Sequence, residues 1–166
     1  MAENTKTQVL VQTYQMTRNL SNYYISKLEG VDIYKTYEIN GVKMNSAYWL
    51  IAHLVWTEHF LIIEGIGGES LGIEWLNDFG FGSIPEEIKN PPSIDEVNKN
   101  FEEVHAKAIE ILNNMTDELM KSENNIEAEF GGSKDKFHVL MHAIRHEPMH
   151  IGQLSWILKV NGIKLT

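Results

Sequence analysis

Residues 134–160 read KDKFHVLMHAIRHEPMHIGQLSWILKV, with histidines at positions 138, 142, 146 and 150. Four residues turn an α-helix by about 400°, so successive histidines drift by only about 40° and form a shallow spiral along one side. Leu140, Ile144, Ile151 and Leu158 fall on the opposite side. The stretch therefore reads as one long helix from about Lys134 to Val160, closed by Asn161 and Gly162. Apolar residues on a second side fit a helix buried twice, inside its own fold and against a second subunit of a homodimer, and fit equally an all-apolar helix within one small bundle.

Working back along the chain, polar and proline signals mark three more helices. One runs from about Asn4 to Glu29 on a stripe of Leu10, Tyr14, Leu20, Tyr24 and Leu28, with Gly30 suited to a left-handed cap. A second begins near Asn45 or Ser46 and runs to about Gly65. A third starts after Ser93, with Glu96 placed as a capping-box partner, and runs to about Lys121 on Ile94, Val97, Phe101, Val104, Ala108, Ile111 and Leu112. Between them, 31–44 reads as an irregular crossover and 122–133 as a polar link. Residues 67–93 form a long connection that holds Pro85, Pro91 and Pro92 and a short helical piece near Ile73 to Asp78. Four long helices joined by long crossovers predict an all-α, four-helix-bundle fold.

Length and composition agree. The 166 residues are one domain's worth, with 43% hydrophobic and 22% charged residues. The absence of cysteine removes thiolate nucleophiles, iron–sulfur clusters and zinc fingers, and fits a reducing compartment. A net charge of −9 argues against binding to a nucleic-acid backbone. The opening MAENTKTQVL lacks the apolar segment of a signal peptide, and 47–66 is interrupted by His53, Glu58, His59 and Glu64, too polar for a membrane span. The expectation is a soluble, cytoplasmic, single-domain protein with neither nucleic acid nor membrane as partner.

Within the last helix, His146 and His150 stand one turn apart on one face, the spacing that lets two imidazoles reach one divalent metal. The spelling His146-Glu147-Pro148-Met149-His150 is also that of the zincins, whose common type takes its third ligand downstream. Here 151–166 holds no His, Asp, Glu or Cys, so a third ligand must come from upstream and Glu147 gains no special role from the motif. His53 is the best upstream partner, because its face carries Trp49, Trp56, Thr57 and Phe60 and must point inward. His59 and His105 fall on more polar flanks and are expected to be exposed. Pro148 removes a backbone bond to Ile144 at a cost of about 3 kcal/mol and is expected to kink the helix between the two histidines. This pattern leaves two readings open, a metal centre and a set of packed core histidines.

His146 and His150, followed by Gly152 and Gln153, spell HxxxHxGQ, and Trp49-Leu50-Ile51-Ala52-His53-Leu54 lies on the second helix. Together these resemble the DinB/YfiT-like superfamily of metal-binding four-helix bundles, over effectively the whole chain. The resemblance implies a divalent metal held by His53, His146 and His150, with other coordination positions open to water or substrate. Imidazole ligands leave zinc, nickel, iron and manganese all eligible. Family members often carry an arginine where this chain has Ile151. Gly152 reads as a site of close helix approach, and Gln153 as a hydrogen-bonding support behind the ligands.

The resemblance further implies a metal-dependent enzyme, a thiol-dependent S-transferase or a hydrolase, acting on a small molecule with a low-molecular-weight thiol as partner. Trp49, Trp56 and Phe60 would line its pocket. No catalytic residue is assigned; Glu147 and His142 are the nearest groups for proton transfer, and His142 reads equally as a substrate contact or a core histidine. The alternative is a non-catalytic, dimeric metal- or ligand-binding bundle with a stress-related role.

Overall fold

The computed structural model describes residues 5–165. Thr5 opens α1 (Lys6–Ser26) with a capping box: its hydroxyl accepts from the Gln8 N–H and the Gln8 side chain accepts from the Thr5 N–H. Asn4, the expected start, lies outside the described residues. The helix ends at Ser26, short of Glu29, and the turn that follows closes with Gly30 at φ +77°. Its buried face is Thr7, Val11, Tyr14, Arg18 and Ser21; of the predicted stripe, Tyr14 and Leu28 are buried and Leu10 and Tyr24 are half-buried against the core. Leu20 is exposed, because this helix meets the interior through polar groups that an apolar pattern cannot reveal.

The crossover expected to be irregular contains an antiparallel hairpin, β1 (Tyr37–Ile39) and β2 (Val42–Met44). Asn40 and Gly41 sit at its tip with φ of 52° and 79°, the two left-handed residues that a tight hairpin turn requires. Ser46 then caps α2 (Ala47–Glu58) by accepting from the Trp49 N–H. The helix continues as a π-helical segment, His59–Gly67, which stops at Gly68 in the left-handed conformation. Together they form an element long and apolar enough to cross a membrane, despite its charged residues. Most of it is buried inside the fold, and burial rather than polarity accounts for its role.

The connection 68–93 carries 3₁₀ turns at Glu74–Phe79, matching the expected helical piece, and at Pro85–Glu87. Ser93 caps α3 (Ile94–Asn113), whose buried face of Val97, Phe101, Val104, Ala108, Ile111 and Leu112 follows the predicted stripe. It ends well before Lys121; a separate 3₁₀ turn covers Leu119–Lys121. Asp135 caps α4 (Lys136–Val160), which stays helical through Pro148.

The four helices form the bundle. α1 packs on α4, α2 packs on both α3 and α4, and the π segment packs against α3 and α4. Gly67 lets the two elements approach closely: a Cβ there would lie 2.7 Å from Ile111 Cδ1, so the isoleucine side chain would have to shift to admit it. Leu140, Ile151 and Leu158 of α4 are buried within the chain and Ile144 is half-buried against the core, while Met141, Met149 and Val160 of the same helix are exposed. Packing within the one bundle buries three of the four residues on the side opposite the histidines.

Candidate metal centre

His53 projects from the middle of α2, stacked on Trp49 (ring centroids 4.6 Å apart, 11° between planes) and flanked by Trp56 at 5.4 Å. Its Nδ1 lies 2.6 Å from the carbonyl oxygen of Phe79, at the end of the 3₁₀ turn. A carbonyl only accepts, so Nδ1 carries the hydrogen and Nε2 presents its lone pair. His150 on α4 is oriented in the same way: its Nδ1 donates to Gln153 Oε1 at 3.3 Å, as expected for that glutamine. His150 Nε2 lies 3.3 Å from His146 Nε2. Nitrogen atoms of the three rings all lie within 4.8 Å of one another.

Burial pushes the His53 imidazole down to about pKa 4, against a weaker upward pull from the Phe79 carbonyl. His146 falls to about 3, through burial and then its neighbours His150 and His53. Burial lowers His150 too, opposed by Gln153. All three rings are therefore neutral at pH 7 and need not shed a proton to bind a metal. Three neutral imidazoles, two with the remote nitrogen already hydrogen-bonded to a carbonyl oxygen, fit a divalent transition metal in chemistry and in support.

Two of the three, His53 and His146, stand at the wall of a cavity of about 740 Å³. His53, Trp56, Phe60, His142 and His146 line it, joined by Phe81 and Phe130 from the connecting loops. Trp49 contributes by stacking beneath His53 rather than by lining the cavity. His142 is half-buried rather than a core residue. It stacks on Phe130 at 4.2 Å and its Nδ1 accepts from Arg145 at 2.9 Å.

Other expectations need correction. Glu147 is 4% exposed and faces α1, where it accepts from Ser21 Oγ at 2.5 Å and pairs with Arg18 at 3.1 Å. Its carboxylate is committed away from the three histidines, because it lies about 100° around the helix from His146. His59 is 4% exposed and not on the surface; its Nε2 accepts from the Leu71 N–H at 3.0 Å. His105 is also largely buried, its Nδ1 2.7 Å from Glu58 Oε1. His138 sits at the start of α4 against Asp135 at 2.6 Å. Gly152 is not a close-approach site: a Cβ there would meet nothing within 4 Å.

Two features escaped the sequence reading. Phe79, the support of His53, lies 26 residues away and carries no signal, since any residue offers a carbonyl. The buried group of Arg18, Glu58 and Glu147 was legible only in the spacing of Tyr14, Arg18 and Ser21 on one helical face.

With this geometry in place, the relatives can be compared. No curated protein matches the chain. Residues 12–154, which run from within α1 through α2 and α3 to most of α4 and include His53, His146, His150 and Gln153, match the DinB superfamily. The chain belongs to the DinB superfamily.

Proposed function

We propose that the protein is a divalent-metal-dependent enzyme acting on a small molecule, with His53, His146 and His150 as the metal's ligands. The observation that carries this reading is the convergence of three neutral imidazoles, two of which, His53 and His146, line a roomy cavity. A structural metal is normally closed off by four protein ligands, whereas three leave a position for reactants. A divalent ion held there supplies Lewis acidity, lowering the pKa of a thiol or water and polarising an electrophile.

The chain's own groups do the rest. Phe79 and Gln153 fix the ring orientations of His53 and His150. Trp56, Phe60 and Phe130 exclude water from the cavity wall. Arg145 can only donate, so it holds the His142 proton on Nε2 and makes that ring a neutral hydrogen-bond donor. Thiol-dependent S-transfer is the finer reading favoured by the family resemblance, with hydrolysis as the second reaction to assay.

The test is a His146→Ala variant assayed with a low-molecular-weight thiol and 1-chloro-2,4-dinitrobenzene, and with 4-nitrophenyl acetate, after metal reconstitution. The proposal expects metal-dependent turnover in the wild type that is lost in a variant which still folds. Metal-loaded wild type without turnover, alongside a variant whose only change is a lower melting temperature, would show the site to be structural.

A further inference from the structure

The cavity beside the three histidines has an unusual lining for a site next to a metal. Its walls are His53, Trp56, Thr57, Phe60, Leu61, Asn77, Gly80, Phe81, Phe130, His142, His146 and Met149, with no Asp, Glu, Lys or Arg among them. That lining offers a charged ligand group no side-chain counter-charge, so the interior favours uncharged ligands. Parallel aromatic pairs come from two separate parts of the fold. Trp56 and Phe60, on α2 and its π continuation, stack at 5.1 Å and 9°. Phe130 and His142, on the α3–α4 link and on α4, stack at 4.2 Å and 29°.

Phe81 adds the third observation. It is 95% exposed, yet it lines the cavity. It sits on a turn between Gly80 and Gly82; Gly82 has φ +79°, and Gly80 is so close to Trp56 that a Cβ would lie 3.2 Å from the indole. The turn is thus seated on the aromatic wall while its phenyl ring remains without a cover of its own. Met149, also largely exposed, lines the same space with a side chain that adapts to irregular shapes.

We propose that this cavity takes an uncharged, largely apolar small molecule with a flat unsaturated ring, gripped by the two aromatic pairs and covered by Phe81. Size and chemistry agree: about 740 Å³ accommodates a molecule of two or three fused or linked rings. The inference rests on the proposed function only in saying what the metal would act on, since binding in the cavity does not require the metal.

The test uses two fluorescent probes with one skeleton, N-phenyl-1-naphthylamine and its sulfonated analogue 8-anilinonaphthalene-1-sulfonate. Each is titrated into chelator-treated wild type, Phe81→Ala and Phe130→Ala. The uncharged probe is expected to bind one per chain, about tenfold or more tighter than the sulfonate, and each variant to weaken it by about fivefold to tenfold. Phe81→Ala should do so without changing the melting temperature, because an exposed ring contributes little to the fold. Equal binding of the two probes, or wild-type affinity in both variants, overturns the proposal. Failure of the metal reading shows separately, as a chain that takes up no metal while the uncharged probe still binds.

Discussion

Arg18 is 2% exposed, and its guanidinium stands between two carboxylates: Glu58 at 2.5 Å and Glu147 at 3.1 Å, with the Phe101 ring 3.8 Å beneath. Burial alone would raise Glu58; Arg18, His105 and Tyr14 outweigh it and hold its carboxyl below the usual range. For Glu147 burial wins over Arg18, and the carboxyl is pushed up. Removing one partner from such a group leaves the others buried and uncompensated, at about 3–5 kcal/mol. Arg18→Met is accordingly expected to lower the melting temperature sharply. Glu147→Gln, which keeps the Ser21 contact, should leave metal affinity within about twofold of wild type, because the carboxylate does not face the histidines. Thermal melts and metal titrations of the two variants check this, and a large loss of metal affinity in Glu147→Gln would contradict it. Gln153→Ala removes the acceptor behind His150 and should weaken metal affinity about 10–100-fold with little change in stability.

At the scale of elements, two glycines that look alike in sequence have opposite roles. A Cβ at Gly67 meets Ile111 Cδ1 at 2.7 Å, whereas one at Gly152 meets nothing. Gly67→Ala is expected to cost about 1–3 kcal/mol from overpacking. Gly152→Ala, on the exposed face of α4, should stabilise by about 0.5–1 kcal/mol from helix propensity. Denaturant unfolding of both variants decides, and an equal response would show that the π segment does not approach α3 as closely as described. The same contrast explains what the sequence could tell. α3 and α4 were readable because their buried faces are apolar at helical spacing, from Val97 to Leu112 and from Leu140 to Leu158. The face of α1 is only partly legible, because beside Tyr14 it buries the polar Thr7, Arg18 and Ser21 while Leu20 is exposed. The hairpin was missed although Asn40-Gly41 is a strong local turn signal, because its strands are only three residues each. The metal triad was readable as residue types and spacing, but its supports on Phe79 and the aromatic walls from Phe81 and Phe130 depend on long-range packing.

For the whole molecule, the three histidines couple folding to both pH and metal. In the metal-free chain burial holds His53 near 4 and His146 near 3, against 6.5 for an unperturbed ring. As pH falls below 6.5 the unfolded chain takes up protons that the folded chain refuses, so stability drops. The fall should begin well above the range where ordinary carboxylates titrate, and continue towards pH 4. Melting temperatures of the metal-free wild type should therefore decline from pH 6.5 to 5, and a variant carrying His53→Ala, His146→Ala and His150→Ala should show a flatter profile there. Parallel profiles would mean that the rings titrate in the folded chain as they do in the unfolded one. Metal acts in the opposite direction: at about 100 times its Kd it should add about 2.7 kcal/mol, or about 5–10 °C, to the wild type alone.

The central claim is that three imidazoles form a metal centre, and metal content tests it most directly. Elemental analysis of the protein, purified without a histidine tag and reconstituted in turn with zinc, nickel, iron(II) and manganese, should give about one ion per chain for at least one of these metals. The triple His53→Ala, His146→Ala, His150→Ala variant should then give none. Wild-type protein that retains no metal under any of these conditions, or a triple variant that retains as much as wild type, would contradict the account.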